Sequence, residues 1–405
     1  MGLELEFIIP FDETVIKKTR YFRLSEFLTR PIKVNSGQVL AREIEAGVVH
    51  PDKKVGVRFP LPAGVSTQDL LKGGLSMVKE PPQSVAATVD GYLSARDETL
   101  IVTKIMEIFG DVGPLTGNIE TGSPVRIHGG ITSGYRVESG GDVETLGLME
   151  GASLKAGGNI LLKGGFAGGG DGVAQSGKNI YSTYVQLGRL EAHGSIVVDG
   201  PVMNSDLSAG SQIVLRGRAS LVGGAARARE LISAPVIGSE GASPTEITLG
   251  DNPFKARLRE GRKAKMEKSR ETIREKELEA KFASQHLAGL GRIPLEDPLA
   301  AVFTLSDIMR DGKVEGMDEP SQQYFKDLGG AVISIISEKE RVAAGPETED
   351  GGAEEQACPT ATLKVEKIAH PGVVISILGV GITLDREYER ARFILKDGAV
   401  QPVMF

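Results

Sequence analysis

Tryptophan is missing altogether from the 405 residues, and aromatic side chains of every kind make up only 5%. A core in this chain therefore has to be filled with Val, Ile, Leu and Ala. Cysteine occurs once, at Cys358 in an acidic stretch, so no disulfide framework exists and a reducing compartment is the default. The five histidines lie far apart, with no paired spacing suited to a metal. Long apolar runs are also lacking: the longest, Gly372 to Leu384, falls short of the ~18–20 residues a membrane-spanning helix needs. The opening Met1-Gly2-Leu3-Glu4-Leu5-Glu6 has neither the basic nor the apolar part of a secretory signal. These absences predict a cytoplasmic protein without membrane insertion. A net charge of −7 argues against a general nucleic-acid binder.

Glycine, by contrast, is abundant: 52 residues, about twice the usual share of ~7%. More than half of them fall between Thr116 and Gly250, a stretch that repeats itself. A small or polar pair followed by a β-branched residue recurs as Gly141-Asp142-Val143, Gly158-Asn159-Ile160, Lys178-Asn179-Ile180, Gly194-Ser195-Ile196 and Ser211-Gln212-Ile213, in steps of 17, 20, 16 and 17 residues. Each mark opens a short β-prone run, and Gly, Asn and Ser clusters separate the runs. Short strands at such a period leave no room for helices between them, which predicts a solenoid. Coils stacking at about 4.8 Å make roughly seven coils a rod about 30–35 Å long. The reading is a mainly β, parallel β-helix, of the right hand because parallel crossovers favour it. The variable step excludes the strict six-residue period of left-handed hexapeptide acyltransferases.

The repeat also carries a resemblance. Thr116-Gly117-Asn118-Ile119, the Gly-Asp/Asn-Ile/Val steps, Gly164-Gly165-Phe166, Met203-Asn204-Ser205, Val222-Gly223-Gly224-Ala225 and Ile237-Gly238-Ser239 follow one another in that order. The arrangement resembles bacterial flagellar assembly protein A (FapA), a family of cytoplasmic proteins with a β-helix. It departs from the family pattern at Gly168-Gly169-Gly170-Asp171-Gly172, where one coil is long. The resemblance implies that the C-terminal tail, with its Pro371-Gly372-Val373 step, belongs with the β-helix, so that the chain leaves the rod and comes back.

Five segments follow. Residues 1–114 read as a small α/β or mostly β domain, with strands around Leu3-Leu5-Phe7, Gly47–Val49, Val55–Phe59, Val85–Val89, Gly91–Leu93 and Leu100–Val102, and a helix over Val15–Leu28. Residues 115–252 are the β-helix. Residues 253–343 read as an α-helical hairpin arm that extends from the rod: Asp251-Asn252-Pro253 starts a charged helix reaching His286, and Ser321–Glu338 forms a second with one apolar face. A third short helix is expected at Leu299–Met309. Residues 344–360 are an acidic flexible linker, and 361–405 a β segment packing with the β-helix.

Three stretches invite a chemical reading. Gly172 to Asn179 nearly spells the phosphate-binding loop, but Asn179 replaces its hydroxyl residue and the following Ile180–Val185 is β-like, not helical. A nucleotide site at Lys178 is therefore not expected. Asp142, Asp171, Asp199 and Asp206 are the carboxylates a polysaccharide-cleaving β-helix enzyme would place along one face, yet Asp142 and Asp199 stand beside glycine, where Asp favours turns. His50 and His193 read as turn residues, His128, His286 and His370 are scattered without ligand spacing, and the His nearest Cys358 in sequence, His370, lies beyond the acidic linker. No catalytic, cofactor or metal residue is assigned.

The expectation is a non-enzymatic structural or adaptor protein acting through protein–protein contacts, with unidentified protein partners and a possible homo-oligomer. What the resemblance implies is a role in flagellar assembly or placement. Two other readings remain: a bactofilin-like scaffold that stacks end to end through unpaired coils, and a carbohydrate-active β-helix enzyme. The helical arm is the expected partner-binding element.

Overall fold

In the computed structural model, described residues are 3–8, 24, 28, 30–45, 57–289 and 357–404, except 64, 80–82, 97 and 242, with side chains of the long helix described to residue 275. The chain divides into two compact units, Met1–Phe254 with Ala357–Phe405, and Lys255–Gln356.

The repeat forms a parallel β-solenoid of about eight turns. Each coil runs through three short strands, which stack with their counterparts into three walls. The first wall holds Met106–Ile108, Val125–Ile127, Val143–Thr145, Ile160–Leu162, Ile180–Ser182, Ile196–Val198 and Gln212–Leu215, continued by parts of Leu231–Ile237 and Thr362–Ala369. The second includes Met149–Glu150, Phe166–Ala167, Val185–Gln186 and the start of Val202–Ala209. The third includes Ile119–Thr121, Arg136–Ser139, Ser153–Ala156, Val173–Ser176, Arg189–Ala192 and Thr245–Leu249. A strand sends alternate side chains to opposite faces, so an in-register parallel stack places like residues one above another. Ile160, Ile180, Ile196, Ile213 and Ile232 form such a column and are all fully buried, as the register marks predict. On the third wall Val137, Leu154, Ala174, Leu190 and Leu207 do the same. The core is mainly aliphatic; Phe166 stacks between Met149 and Val185, and Tyr92, Tyr388 and Phe393 also belong to it.

One boundary differs from expectation. The first coil begins at Met106, not at residue 115, because Met106–Ile108 pairs with Val125–Ile127. The two coil ends are covered differently, one by side chains of the N-terminal region and the other by strand pairing. At one end Tyr92 enters the solenoid core while its hydroxyl meets Thr121 Oγ1 at 2.9 Å, and Ser94 Oγ donates to the Glu107 carbonyl. At the other, Thr362–Ala369 and Val374–Ile377 complete the last coil in parallel. The chain then reverses, and Ala391–Lys396 pairs antiparallel with both Thr362–Ala369 and Ala399–Met404. The tail thus joins the solenoid and also caps it.

The N-terminal region builds a five-stranded antiparallel sheet and a three-stranded one around a second core of Leu5, Phe7, Phe59, Leu93 and Leu100. Five of its expected strands are present; Ile32–Val34, Val39–Glu45 and Leu75–Val78 are additional. The expected strand Gly47–Val49, His50 and most of Val15–Leu28 lie outside the described residues, although Leu24 and Leu28 are buried and Leu28 N–H donates to the Leu24 carbonyl.

After Gly250 a helix runs from Pro253 to Gly289. Asn252 Oδ1 accepts the Phe254 N–H at 3.1 Å, an N-cap with proline in the first turn. Leu258 is 55% exposed, in keeping with a stretch whose apolar residues form no single stripe. The helices expected at Ser321–Glu338 and Leu299–Met309, and most of the acidic linker, lie outside the described residues. No described helix is long and apolar enough to cross a membrane.

Candidate functional site

The corner that leads from the third wall back to the first explains the register marks. Asp142 Oδ1 accepts the Asn159 backbone N–H at 2.6 Å, Asn159 Oδ1 accepts from Asn179 N–H and Nδ2 at 3.3 and 3.1 Å, and Asn179 Oδ1 accepts the Ser195 N–H at 2.8 Å. Each side chain thus satisfies an amide of the next coil at a half-buried corner. Ser176 Oγ donates to the Gly158 carbonyl at 2.7 Å and accepts the Lys178 N–H at 3.0 Å. The phosphate-loop-like stretch is therefore a wall strand, Val173–Ser176, followed by this corner and another strand. No helix N-terminus stands behind Lys178.

The same corner carves a groove. Gly122, Gly140, Gly157 and Gly177 each follow a third-wall strand and sit one coil apart. Backbones approach closely here: Gly177 N–H reaches the Ala156 carbonyl at 2.8 Å, and a Cβ on Gly177 would overlap the Gly157 carbonyl oxygen. A column without side chains beside a column of long polar ones leaves a trough of about 920 Å³. Its rim is the outward column of the third wall, where Glu120, Glu138, Lys155, Gln175 and Glu191 occupy successive rungs. Gln175 Nε2 donates to Glu191 Oε2 at 2.9 Å, and Glu191 is only 7% exposed. His193 takes the glycine position in its coil and stacks on Phe254, with ring centroids 4.6 Å apart and planes 14° apart, closing the trough. Three carboxylates against one ammonium make a predominantly acidic, extended trough.

The other candidate residues are dispersed. Asp142 is in the corner ladder, Asp171 at the opposite corner in the long Gly-rich turn, Asp199 at the end of a first-wall strand, and Asp206 on the third wall beside Arg189. The structure does not bring these four together, so the pattern that suggested a polysaccharide-cleaving site dissolves. The three extra residues of the long coil fall within Gly168–Gly172, looped out at the corner between the second and third walls, where Gly172 N–H closes on the Gly168 carbonyl. His128 stacks on Phe109, and His370 Nδ1 lies 3.1 Å from Glu387 Oε1. Cys358 Sγ lies 3.4 Å from Thr360 Oγ1. No group of three or more His, Cys, Asp or Glu suited to a metal occurs among the described residues.

On the outside of the first wall, charge is organised instead by pairing. Arg126 joins Glu144 at 2.7 Å and Glu107 at 3.3 Å, and Lys163 reaches Glu144 at 2.6 Å. Hydrogen bonds from Lys163 and then Arg126 hold the Glu144 carboxyl below its ordinary range.

An aliphatic interior, three in-register walls and an antiparallel cap define the molecule as a capped parallel β-solenoid. Within that class, residues 104–400 match the Flagellar Assembly Protein A beta solenoid domain, and the chain belongs to this family. Neither a curated protein nor a solved structure gives a significant match.

Proposed function

We propose that this chain is a non-enzymatic cytoplasmic adaptor that serves flagellar assembly or placement by holding partner proteins along the sides of its rod. The observation that carries the proposal is the use made of the residues that looked chemical. Asp142, Asn159, Asn179 and Ser176 are spent on coil-to-coil hydrogen bonds, while the trough offers an extended acidic surface rather than a preorganised reacting centre. The antiparallel cap at one end and the Tyr92 cover at the other weigh against the end-to-end scaffold. The arm, residues 253–343, remains the second candidate for partner contact, because Lys and Arg outnumber Asp and Glu between Lys255 and Lys281 in an otherwise acidic chain.

Deletion of the gene in the native cell, followed by flagellar counts and tracking of a tagged copy, tests the reading. Loss or misplacement of flagella, restored by the full chain but not by one with Glu120, Glu138 and Glu191 changed to Lys or with 253–343 replaced by a Gly/Ser linker, is the expected result. Normal number and position of flagella in the deletion strain overturns the role. ATP and GTP with Mg²⁺ should show no saturable binding; micromolar affinity lost in Lys178→Ala would restore an enzymatic reading.

A further inference from the structure

The outward column of the first wall is unlike that of the third. Its middle four rungs are Leu161, Tyr181, Val197 and Val214, a continuous apolar stripe on a flat parallel sheet. Tyr181 is 39% exposed, its neighbours in the stripe are partly exposed, and its hydroxyl has no hydrogen-bond partner among the described residues. Above the stripe stand Glu107, Arg126 and Glu144; below it stand Ser233, Lys364 and Arg392. An exposed aromatic at the centre of an apolar patch with a charged rim is the usual make-up of an interface hot spot.

We propose that this wall is the contact face of an antiparallel homodimer. The pattern selects the occupant because it is complementary to itself when reversed. Those ten rungs have their midpoint between Tyr181 and Val197. Turning a second copy about that midpoint sets Tyr181 on Val197 and Leu161 on Val214, apolar on apolar throughout. The same rotation sets Arg392 against Glu107, and Lys364 opposite Arg126 but between the rungs of Glu107 and Glu144. A parallel arrangement would instead set Lys364 and Arg392 on their own copies, four cations against the Glu366 carboxylates that Lys364 already holds at 3.2 Å, and Glu107 and Glu144 on theirs, which costs affinity. Charge therefore decides the direction.

The size sets the strength. Ten rungs at ~4.8 Å give a strip about 43 Å long, and three residues of strand make it about 10 Å wide. Roughly 900 Å² buried in total lies at the low end for specific interfaces, so the dimer is reversible. It goes beyond the adaptor reading and does not depend on it.

Sedimentation equilibrium of the full chain, from ~1 to ~200 μM, is the first measurement. A monomer–dimer equilibrium in the tens of micromolar is expected. Tyr181→Asp, and independently Val214→Lys, should weaken it at least ~100-fold with the melting temperature unchanged, since both side chains point away from the core. In a Cys358→Ser background, a short bismaleimide should join Leu161→Cys to Val214→Cys in a mixture of the two variants, and should not join Leu161→Cys to itself. A monomer at ~200 μM, a dimer indifferent to both substitutions, or cross-linking only between two copies of Leu161→Cys overturns the proposal.

Discussion

Two corners of the solenoid turn the same chain by different means. Between the third wall and the first, glycine is required by the coil next door: a Cβ at Gly177 meets the backbone of Gly157, and the polar atoms are tied into the Asp142–Asn159–Asn179 ladder. Between the second wall and the third, a further demand comes from the residue's own backbone. Leu187, Asn204 and Gly223 occupy successive coils at φ of 49°, 46° and 70°. The left-handed region favours Gly and accepts Asn, and a leucine held there is strained by roughly 1–2 kcal/mol. Both corners thus crowd the coil next door, since a Cβ on Gly188 would meet Phe166 and one on Gly168 the Gly188 backbone, but the second adds a left-handed backbone at Leu187 and Asn204. Substitutions at its left-handed, non-glycine positions should stay local, whereas those at the packed glycines of either corner should disturb stacking.

The wall interior sets the upper bound for both. Ile196→Asp buries an unpaired charge between Ile180 and Ile213 and should cost roughly several kcal/mol. Soluble, β-rich protein with an unchanged melting temperature would contradict the column. Gly177→Ala comes next, at about 2–3 kcal/mol, because the clash is with backbone that has no room to yield; thermal melting reads it directly. Asn179→Ala leaves the Ser195 amide without its acceptor, and a loss of about 1–2 kcal/mol is expected. Hydrogen exchange at Ser195 should accelerate while amides of the opposite corner keep their protection. The smallest effect belongs to Leu187→Gly, where relief of strain and the added freedom of the unfolded chain offset each other to within ~0.5 kcal/mol. A loss of ~2 kcal/mol there would mean that packing, rather than φ, governs this corner too.

What the sequence disclosed follows the same division. The ladder was legible because Asp142, Asn159, Asn179 and Ser195 each directly precede an inward β-branched residue, so one local pattern marked both the corner and the register. The trough was not legible. Glu120, Glu138, Lys155, Gln175 and Glu191 share no residue type, and they become neighbours only after the three extra residues of the long coil are looped out. A signal did exist, in the glycine that closes third-wall runs at Gly122, Gly140, Gly157 and Gly177, one residue type at coil spacing. The antiparallel cap was missed for a different reason: Ala391–Leu395 reads as a strand either way, and strand direction is a property of the partner it finds. The Tyr92 plug was hidden because its contacts with Thr121 and Ser123 join two segments read as separate domains.

Gly250 and Cys358 lie next to each other, with the Cys358 N–H donating to the Gly250 carbonyl at 2.8 Å. The chain between them leaves and re-enters the solenoid within a single coil. Its length is nearly free of thermodynamic consequence, since each doubling of such a loop costs only about 0.6 kcal/mol. Its position in time is another matter. A ribosome completes every earlier coil before it begins the excursion, and the excursion before Thr362–Ala369 and the cap. During that interval Leu231–Ile237 and Thr245–Leu249 present bare parallel edges, so the nascent rod is open at one end while the excursion is being made. A protease cut inside the excursion, made after synthesis, should leave two fragments that still migrate as one molecule, joined through Leu363, Phe393 and Ile375.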